Sequence, residues 1–391
     1  MQKRILFFFV LFIFFLAPLM VYYPQESLAG AKDGLHLWLT VALPALFPFM
    51  VVAELIIRLG LPPLLGLLFE PMMRPLFRLP GPAGVVVAVG FTTGFPIGAI
   101  MTTRFIQEGL LTRQEGERLA LFTNNASPLF LLGVVGTALF GHPEIGLLIA
   151  CSHYGANLIL GILFAFLDRK RTVLTVPAKV PFSSRMKAEW KRFLLNDSPP
   201  GEIIGQSIVK AMNNAIAIGG YLIFFTVVFR LFLASGVLNP LILFMEKFLM
   251  WFRFEPALAQ GLLAGLMEMT LGSQQIVATS APLIDKVLLI SFILAWSGLS
   301  IQAQVATFLL QSGVPVHRYI TARLMQGFLA LAISYLLFHL WPLPLATVEV
   351  NPSLSSNLWS FWPGIIGLFY TFLGFFLLFL VFARKRLLKS L

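Results

Sequence analysis

Polar residues interrupt four long apolar stretches of this sequence, and glycine or proline stands close to them. Hydroxyl and amide side chains bind a small solute through hydrogen bonds. A carboxylate inside an apolar stretch is costly and usually functional. The candidate solute-binding residues are Thr92, Thr93 and Gly94; Asn124, Asn125 and Ser127; Glu268, Thr270, Ser273, Gln274 and Gln275; and Ser297, Ser300 and Gln302.

Catalytic and metal-binding motifs are absent from the sequence. Its five histidines are scattered, and neither His-Glu-x-x-His nor Gly-x-Ser-x-Gly spacing occurs. We therefore expect solute binding without chemical conversion, with no catalytic residue, no metal site and no resident cofactor. A membrane-embedded transferase is the alternative, since such enzymes can lack short motifs.

Composition places the chain in a membrane. Of its 391 residues 58% are hydrophobic and only 12% are charged, whereas soluble domains are about a quarter charged. The net charge of +11 lies in short loops beside apolar segments, which favours membrane orientation over nucleic-acid binding. The predicted spans, each about 20 residues long, are 5–23, 36–58, 119–140, 144–167, 212–235, 287–310, 319–341 and 360–382.

The first span is expected to be an uncleaved anchor. Its apolar run up to Tyr23 is long for the core of a signal peptide, although Ser27-Leu28-Ala29 resembles a weak cleavage site. Either interpretation leaves the rest of the topology unchanged.

The charge distribution decides the path of two further apolar stretches, residues 83–103 and 256–284. If both are re-entrant hairpins, almost all the basic segments fall on one side of the membrane, and both termini are cytoplasmic. If the first stretch crossed fully, the basic loop after residue 168 would move outside. The sequence therefore predicts two hairpins, with tips near Gly94 and Gly272, where glycine permits a sharp reversal.

The order of these elements occurs twice, which predicts an all-α polytopic membrane protein with about eight transmembrane helices and two re-entrant hairpins in an inverted repeat. Each repeat has three full crossings, so the two repeats have opposite orientations, a design common in secondary transporters. A duplicated scaffold without transport is the alternative. The predicted units are 1–35, an anchor helix and external linker; 36–167, the first repeat; 168–202, a basic cytoplasmic loop; 203–341, the second repeat; and 342–391, an external loop, the last span and a basic cytoplasmic tail.

The four interrupted places are expected to meet at one polar site near the middle of the membrane. Irregular backbone at that depth must be buried in protein or line a polar cavity. Half-helix N-termini suit an anion, whereas freed carbonyls suit Na⁺, and coupling to Na⁺, H⁺ or nothing stays open. Asn124 and Asn125 have a second interpretation as hydrogen-bonding contacts between helices, and His153 is interpreted as a hydrogen-bonded packing residue.

Three segments of the chain resemble the SpoVV family of sporulation integral membrane proteins, also called YlbJ. The segments are Gly94-Phe95-Pro96-Ile97-Gly98-Ala99, Glu115-Gly116-Glu117-Arg118-Leu119 and Phe122-Thr123-Asn124-Asn125-Ala126-Ser127-Pro128-Leu129-Phe130. That family shares a nucleoside-recognition "gate" domain and is similar in architecture to concentrative nucleoside transporters. The Gln-Thr-Glu of the nucleoside carriers' first hairpin is missing here, and Thr92-Thr93 stands nearby instead, which speaks against nucleoside selectivity.

The resemblance implies a role in endospore formation. It implies a location in the outer forespore membrane of the mother cell, movement of dipicolinic acid toward the spore, and a contribution to cortex formation. The expected partners are thus a small anionic solute and the lipid bilayer, with a homo-oligomer as a further possibility. A nucleoside or ion carrier and a non-transporting component of a sporulation assembly are the alternatives.

Overall fold

The computed structural model describes residues 2–168, 182–194 and 199–340, and within these ranges the chain is helical, without strands. The predicted last span, its preceding loop and the basic tail lie outside the described residues. The first eight helices are α1 (Gln2–Tyr22), α2 (Pro24–Leu37), α3 (Leu43–Arg58), α4 (Leu61–Phe77), α5 (Ala83–Thr93), α6 (Ile97–Gln107), α7 (Arg113–Thr123) and α8 (Pro143–Leu167). The next eight are α9 (Phe182–Leu194), α10 (Pro200–Ala234), α11 (Asn239–Trp251), α12 (Ala259–Met267), α13 (Met269–Ala278), α14 (Leu283–Trp296), α15 (Gly298–Gln311) and α16 (Val316–Leu340).

Four of these elements are long and apolar enough to cross a membrane by themselves: α8, α10, the α14–α15 pair and α16. The number rises to six if each of two bent helix pairs, α1 with α2 and α3 with α4, forms one span. The described helices thus lie at the predicted positions, and the total of eight spans stays a prediction.

A long helical element packs against α10. It includes residues before position 36, where the sequence predicts an external linker, so this part of the chain is helix and not linker. α2 continues through the π-helical turns Trp38–Ala42 into α3, so residues 24–58 form one element of 35 residues, as long as α10. The two run antiparallel: a Cβ at Gly34 would lie 2.6 Å from the Cα of Ile223, and the Trp38 indole donates to the carbonyl of Ala215 at 2.9 Å. The small residues of α2 permit this close helix packing. The charged residues in the same segment are what led to the prediction of a linker instead of a helix.

The first predicted hairpin is confirmed. α5 and α6 are joined at Gly94, whose φ of 95° is in the region that favours glycine. Gly90 and Gly98 lie four positions on either side of this tip, and a Cβ on either would come within 2.3 Å of the carbonyl oxygen of Thr123. Both arms therefore pack against the same point of α7, as a hairpin folded at Gly94 requires.

The second hairpin is also present, but its tip is Glu268 and not Gly272. α12 ends at Met267 and α13 starts at Met269, with Glu268 in extended conformation between them. Gly272 lies inside α13, where its Cβ would be 2.2 Å from the Cα of Gly265 in the opposite arm. The glycine that predicted a turn instead lets the two arms touch, because only a residue without a side chain fits between the backbones.

We expect Gly272→Ala to destabilise the protein by about 1–3 kcal/mol or more, because the added methyl group overlaps the backbone of the other arm. Gly220→Ala is the matched control, since nothing lies within 4 Å of a Cβ at that helical position and alanine favours the helix by about 1 kcal/mol. Thermal unfolding of the purified variants in detergent would measure both. Equal melting temperatures for the two variants would contradict the close contact between α12 and α13.

Broken helices follow both hairpins. α7 ends at Thr123, and after residues 124–127 (the first break) a π-helix runs from Leu129 to Leu139. The α14–α15 pair is broken at Ser297 and Gly298, both with positive φ (the second break). The order of a 35-residue helix, a short helix, a hairpin, a broken helix and a 25-residue helix therefore occurs twice along the described chain.

Ion pairs gather at one end of the molecule, called here the basic end. Arg318 bonds Glu117 of α7 and Asp168 after α8, and Arg118 donates to the carbonyl of Arg78 at 2.6 Å. Arg104, at the base of the first hairpin, pairs with Glu54 of α3. The second hairpin starts at the other end: the amide of Glu255 donates to Asp285 at 3.1 Å, at the start of the α14–α15 span, whereas Thr103 of α6 donates to the carbonyl of Phe308 near the finish of that span. The two hairpins therefore enter from opposite ends, as the charge distribution predicts.

Candidate functional site

Both hairpin tips, the first break and the start of α15, just after the second break, meet at one cavity. Its volume is about 70 Å³, which is enough space to hold water. The wall is completed by α2, the π-helical turns after it, α3 and α10. The polar or glycine residues on the wall are Gly94, Ser127, Glu268, Thr270, Ser300 and Gln304, and the apolar ones include Leu46, Phe95, Phe130, Ile218, Met269 and Ile301.

The predicted site residues divide into two groups in the structure. Gly94, Ser127, Glu268, Thr270 and Ser300 line the cavity, and their role in solute binding stays a prediction. Gln304 also lines it and was not among the candidates. The remaining candidates do not line this cavity: Thr92, Thr93, Asn124, Asn125, Ser273, Gln274, Gln275, Ser297 and Gln302.

Each residue outside the cavity wall has an identifiable place. Thr92, Thr93 and Ser273 donate to carbonyls of their own helices. Gln274 is exposed, and Gln275 lines a separate pocket beside Arg230. Ser297 and Gln302 bond the carbonyl of Trp296 at the second break. The residues from 273 to 275 lie one to two turns inside α13 because the tip of the second hairpin is four residues earlier than predicted.

Asn124 joins the first break to the first hairpin. Its Oδ1 accepts from the amide of Ala99 in the first turn of α6 at 2.8 Å, and its Nδ2 donates to the carbonyl of Ala120 at 3.0 Å. Asn125 is also buried, but its Nδ2 makes only a 3.4 Å bond to the carbonyl of Phe122, and its Oδ1 has no partner in the structure. The first amide is therefore a structural cap, whereas the second keeps a free acceptor at the break.

We expect Asn124→Ala and Asn125→Ala to differ in kind. Loss of Asn124 leaves the buried amide of Ala99 without an acceptor, at a cost of about 1–3 kcal/mol in stability. Loss of Asn125 removes only a weak bond, so we expect less than about 1 kcal/mol, but a fall in solute flux of at least about tenfold. Melting temperature and flux into proteoliposomes would be measured for both. A wild-type flux for Asn125→Ala, with the protein folded, would remove Asn125 from the site.

Glu268 is the carboxylate of the cavity and is only 2% exposed. One of its oxygens accepts from the amide of Leu271 at 2.7 Å, so the side chain caps the N-terminus of α13. Among the described residues, no lysine or arginine lines the cavity. The negative group at the site is thus held by a helix N-terminus, where an anion is favoured.

Arg323 is a central residue that the sequence did not identify as part of the site. It is completely buried in α16, two turns after the helix start. Its guanidinium donates to the carbonyls of Asn124, at 2.7 Å, and Leu121, and to Oδ1 of Asn157 in α8 at 3.0 Å. The available signal is an arginine inside the predicted span 319–341, because a charge within a span is costly and usually functional.

Two neighbouring residues of α8 complete the support of the first break. Nε2 of His153 accepts from the amide of Ala126 at 3.1 Å, and the hydroxyl of Tyr154 donates to the carbonyl of the same residue at 2.8 Å. Gln326 of α16 donates to the carbonyl of His153 at 3.2 Å. The interpretation of His153 as a hydrogen-bonded packing residue is confirmed. α8 and α16 therefore satisfy the backbone groups that the break leaves without helical partners.

The sequence was compared with protein families, with known proteins and with solved structures. Residues 39–142, from α3 to just after the π-helix, match the family described as Gate, nucleoside recognition. The sporulation integral membrane protein YlbJ of Bacillus subtilis (strain 168) is 37% identical over 345 residues, which are 87% of this chain and 84% of that protein. An uncharacterized protein of Alkalihalophilus pseudofirmus is 31% identical over 85 residues, 22% of this chain and 18% of that protein. No solved structure matches the chain significantly.

Proposed function

We propose that this chain, which belongs to the family of the sporulation integral membrane protein YlbJ, is a membrane transporter of a small polar solute. The observation that carries the proposal is the cavity shared by two hairpin tips, the first break and the start of α15. Irregular backbone at membrane depth is tolerated only where it is buried in protein or lines a polar cavity, and here parts of it line one cavity. The match of residues 39–142 to a nucleoside-recognition family supports solute recognition by the same region.

The two halves of the chain are interpreted as an inverted repeat that supports alternating access. Matching helices run antiparallel: Arg323 of α16 bonds Asn157 of α8, and Gln326 bonds the carbonyl of His153 one turn earlier. In such repeats, one half moves against the other around a central site. The proposed topology has eight spans and both termini in the cytoplasm.

Solute entry requires a change of shape. A cavity of about 70 Å³ is about half the size of the roughly 150 Å³ cavity that binds benzene in another protein, so it is too small for an aromatic solute with carboxylate groups. The hairpin tips must therefore move apart before such a solute binds, and close again before it leaves on the other side. The described arrangement corresponds to a closed step of this cycle.

Dipicolinic acid is the proposed solute, moved from the mother cell across the outer forespore membrane toward the spore. The family membership supports a role in sporulation. A small aromatic dianion suits helix N-termini, and the cavity contains the start of α13. Because the Glu268 carboxylate already accepts from Leu271 there, the dianion and Glu268 compete for the same amide groups. Transport is then expected to require displacement or protonation of Glu268, so H⁺ is the favoured coupling ion over Na⁺.

A neutral nucleoside-like solute is the second candidate. It is favoured by the match to the nucleoside-recognition family and by the lining of the cavity, which offers hydroxyl, amide and carboxylate groups but no cationic side chain among the described residues. A solute with hydroxyl and ring N–H donors would bond Glu268 directly, without displacing it.

Flux into proteoliposomes distinguishes these proposals. The purified full chain would be reconstituted, and uptake of radiolabelled dipicolinate would be measured with unlabelled dipicolinate, uridine or inorganic ions as competitors. We expect saturable dipicolinate uptake that only unlabelled dipicolinate suppresses. Uptake of uridine in its place would favour the second candidate. No uptake of either solute above empty vesicles, with folded protein, would contradict transport and favour a non-transporting component of a sporulation assembly.

A further inference from the structure

The helix α9 has one apolar side and one polar side, and the apolar side faces away from the protein. Phe182, Met186, Trp190 and Phe193 follow one another at helical spacing. Phe182 is 52% exposed and Trp190 is 51% exposed. The ring centroids of Trp190 and Phe193 are 5.5 Å apart. No residue of α9 is buried by the described part of the chain.

The polar side of α9 is the one attached to the protein. Nη2 of Arg185 donates to Oε2 of Glu70 in α4 at 2.6 Å. Ser184, Ala188 and Glu189 line the same groove, opposite Gly66 of α4. A helix on the surface of a soluble domain turns its apolar side inward, so α9 has the reverse arrangement and needs an apolar environment outside the protein.

The position of α9 identifies that environment. α4, to which α9 is attached, bends by 97° from α3, so it runs across the end of a long helix and not along it. Both helices lie at the basic end, where Arg74 also pairs with Glu70. A helix that runs across the end of a span lies at the membrane surface.

Cationic side chains border the apolar side of α9. Lys187 and Lys191 lie beside one of its edges, and Arg192 lies on the polar side near Arg185; all three are exposed. An amphipathic helix with lysine and arginine beside its apolar side binds a bilayer that carries anionic lipids. The charge of these residues complements phosphate headgroups.

We infer that α9 is a membrane-surface helix that inserts its apolar side into the lipid leaflet at the basic end and binds anionic phospholipid headgroups through Lys187, Lys191 and Arg192. This inference is independent of the transported solute. It also makes α9 an anchor that holds α4 at the membrane surface.

Spin labels at two adjacent positions test the insertion. The only cysteine, Cys151, would be replaced by alanine, and Trp190→Cys and Lys191→Cys would be labelled with a nitroxide in proteoliposomes of phosphatidylcholine and phosphatidylglycerol. We expect the label at position 190 to be accessible to oxygen and shielded from a water-soluble nickel chelate, and the label at 191 to show the opposite. Equal access of the nickel chelate to both positions would overturn the inference.

Lipid titration tests the headgroup binding. The variant Lys187→Gln, Lys191→Gln, Arg192→Gln would be compared with a control of equal charge loss, Lys32→Gln, Lys247→Gln, Arg253→Gln. Binding of phosphatidylglycerol to the detergent-solubilised full chain is expected to weaken at least about tenfold in the first variant, at roughly fivefold per cation, and to stay near wild type in the control. Equal weakening in both, or none in the first, would contradict a specific site on α9.

Discussion

An Arg323→Met variant is expected to lose about 2–5 kcal/mol of stability and nearly all solute flux. The guanidinium is completely buried and donates to two carbonyls of the first break and to Asn157. Each carbonyl that loses its donor in a buried site costs about 1–3 kcal/mol, and this loss is only partly offset because a buried charge is also removed. The first break would then lose the shape that places Ser127 in the cavity wall.

Melting temperature in detergent and flux into proteoliposomes measure this effect. Arg113→Met is the matched control, because that arginine is exposed at the start of α7, and it is expected to keep both properties. Arg323→Lys should fall between the wild type and Arg323→Met, since an ammonium group cannot reproduce the planar set of donors. An Arg323→Met protein that melts and transports like the wild type would show that the break is held in another way.

Glu268→Gln is expected to reduce flux at least about tenfold while leaving the fold intact. Glutamine keeps an oxygen that can accept from the amide of Leu271, as the carboxylate does at 2.7 Å, so the cap of α13 is retained. The negative charge and the proton-binding group are lost from the cavity. An unpaired acid at membrane depth is normally retained for a function of this kind.

Two further variants separate charge from structure at this tip. Glu268→Ala removes the cap as well, so we expect an added loss of about 1 kcal/mol in stability. Glu255→Gln is the control, because its side chain is exposed at the base of the same hairpin, and it should transport normally. If Glu268→Gln transports at the wild-type rate, the carboxylate has no part in solute binding or coupling.

Much of the architecture follows from charge and repetition in the sequence. The requirement to keep the basic loop after residue 168 on the same side as the other basic segments predicts the first hairpin. The structure brings Arg78, Arg104 and Arg118 together at the basic end. The recurrence of glycine, polar residues and apolar stretches at matching intervals predicts that both halves contribute to one site. Five of the predicted residues do line a common cavity.

The positions that could not be predicted depend on contacts between distant residues. Gly272 suggests a turn by its type, but the contact with Gly265 gives it a packing role, and only the folded hairpin reveals that Glu268 makes the turn. In the sequence, Arg323 suggests a charge at the end of a span. Only the fold shows that it is surrounded by Leu121, Asn124 and Asn157. The polar residues of α2 do not predict a buried helix by themselves. Its packing partner, α10, lies far away along the chain, so the contact is visible only in the folded protein.

Protection of engineered cysteines by solute tests most directly whether both repeats build one solute site. In a Cys151→Ala background, Ser127→Cys from the first break, Ser300→Cys beside the second break and the exposed Gln274→Cys would each react with a small membrane-permeant thiol reagent during transport. We expect dipicolinate to protect positions 127 and 300 with the same concentration dependence, and to leave position 274 unprotected. Protection of only one of the two cavity positions, or of all three alike, would contradict a single shared site.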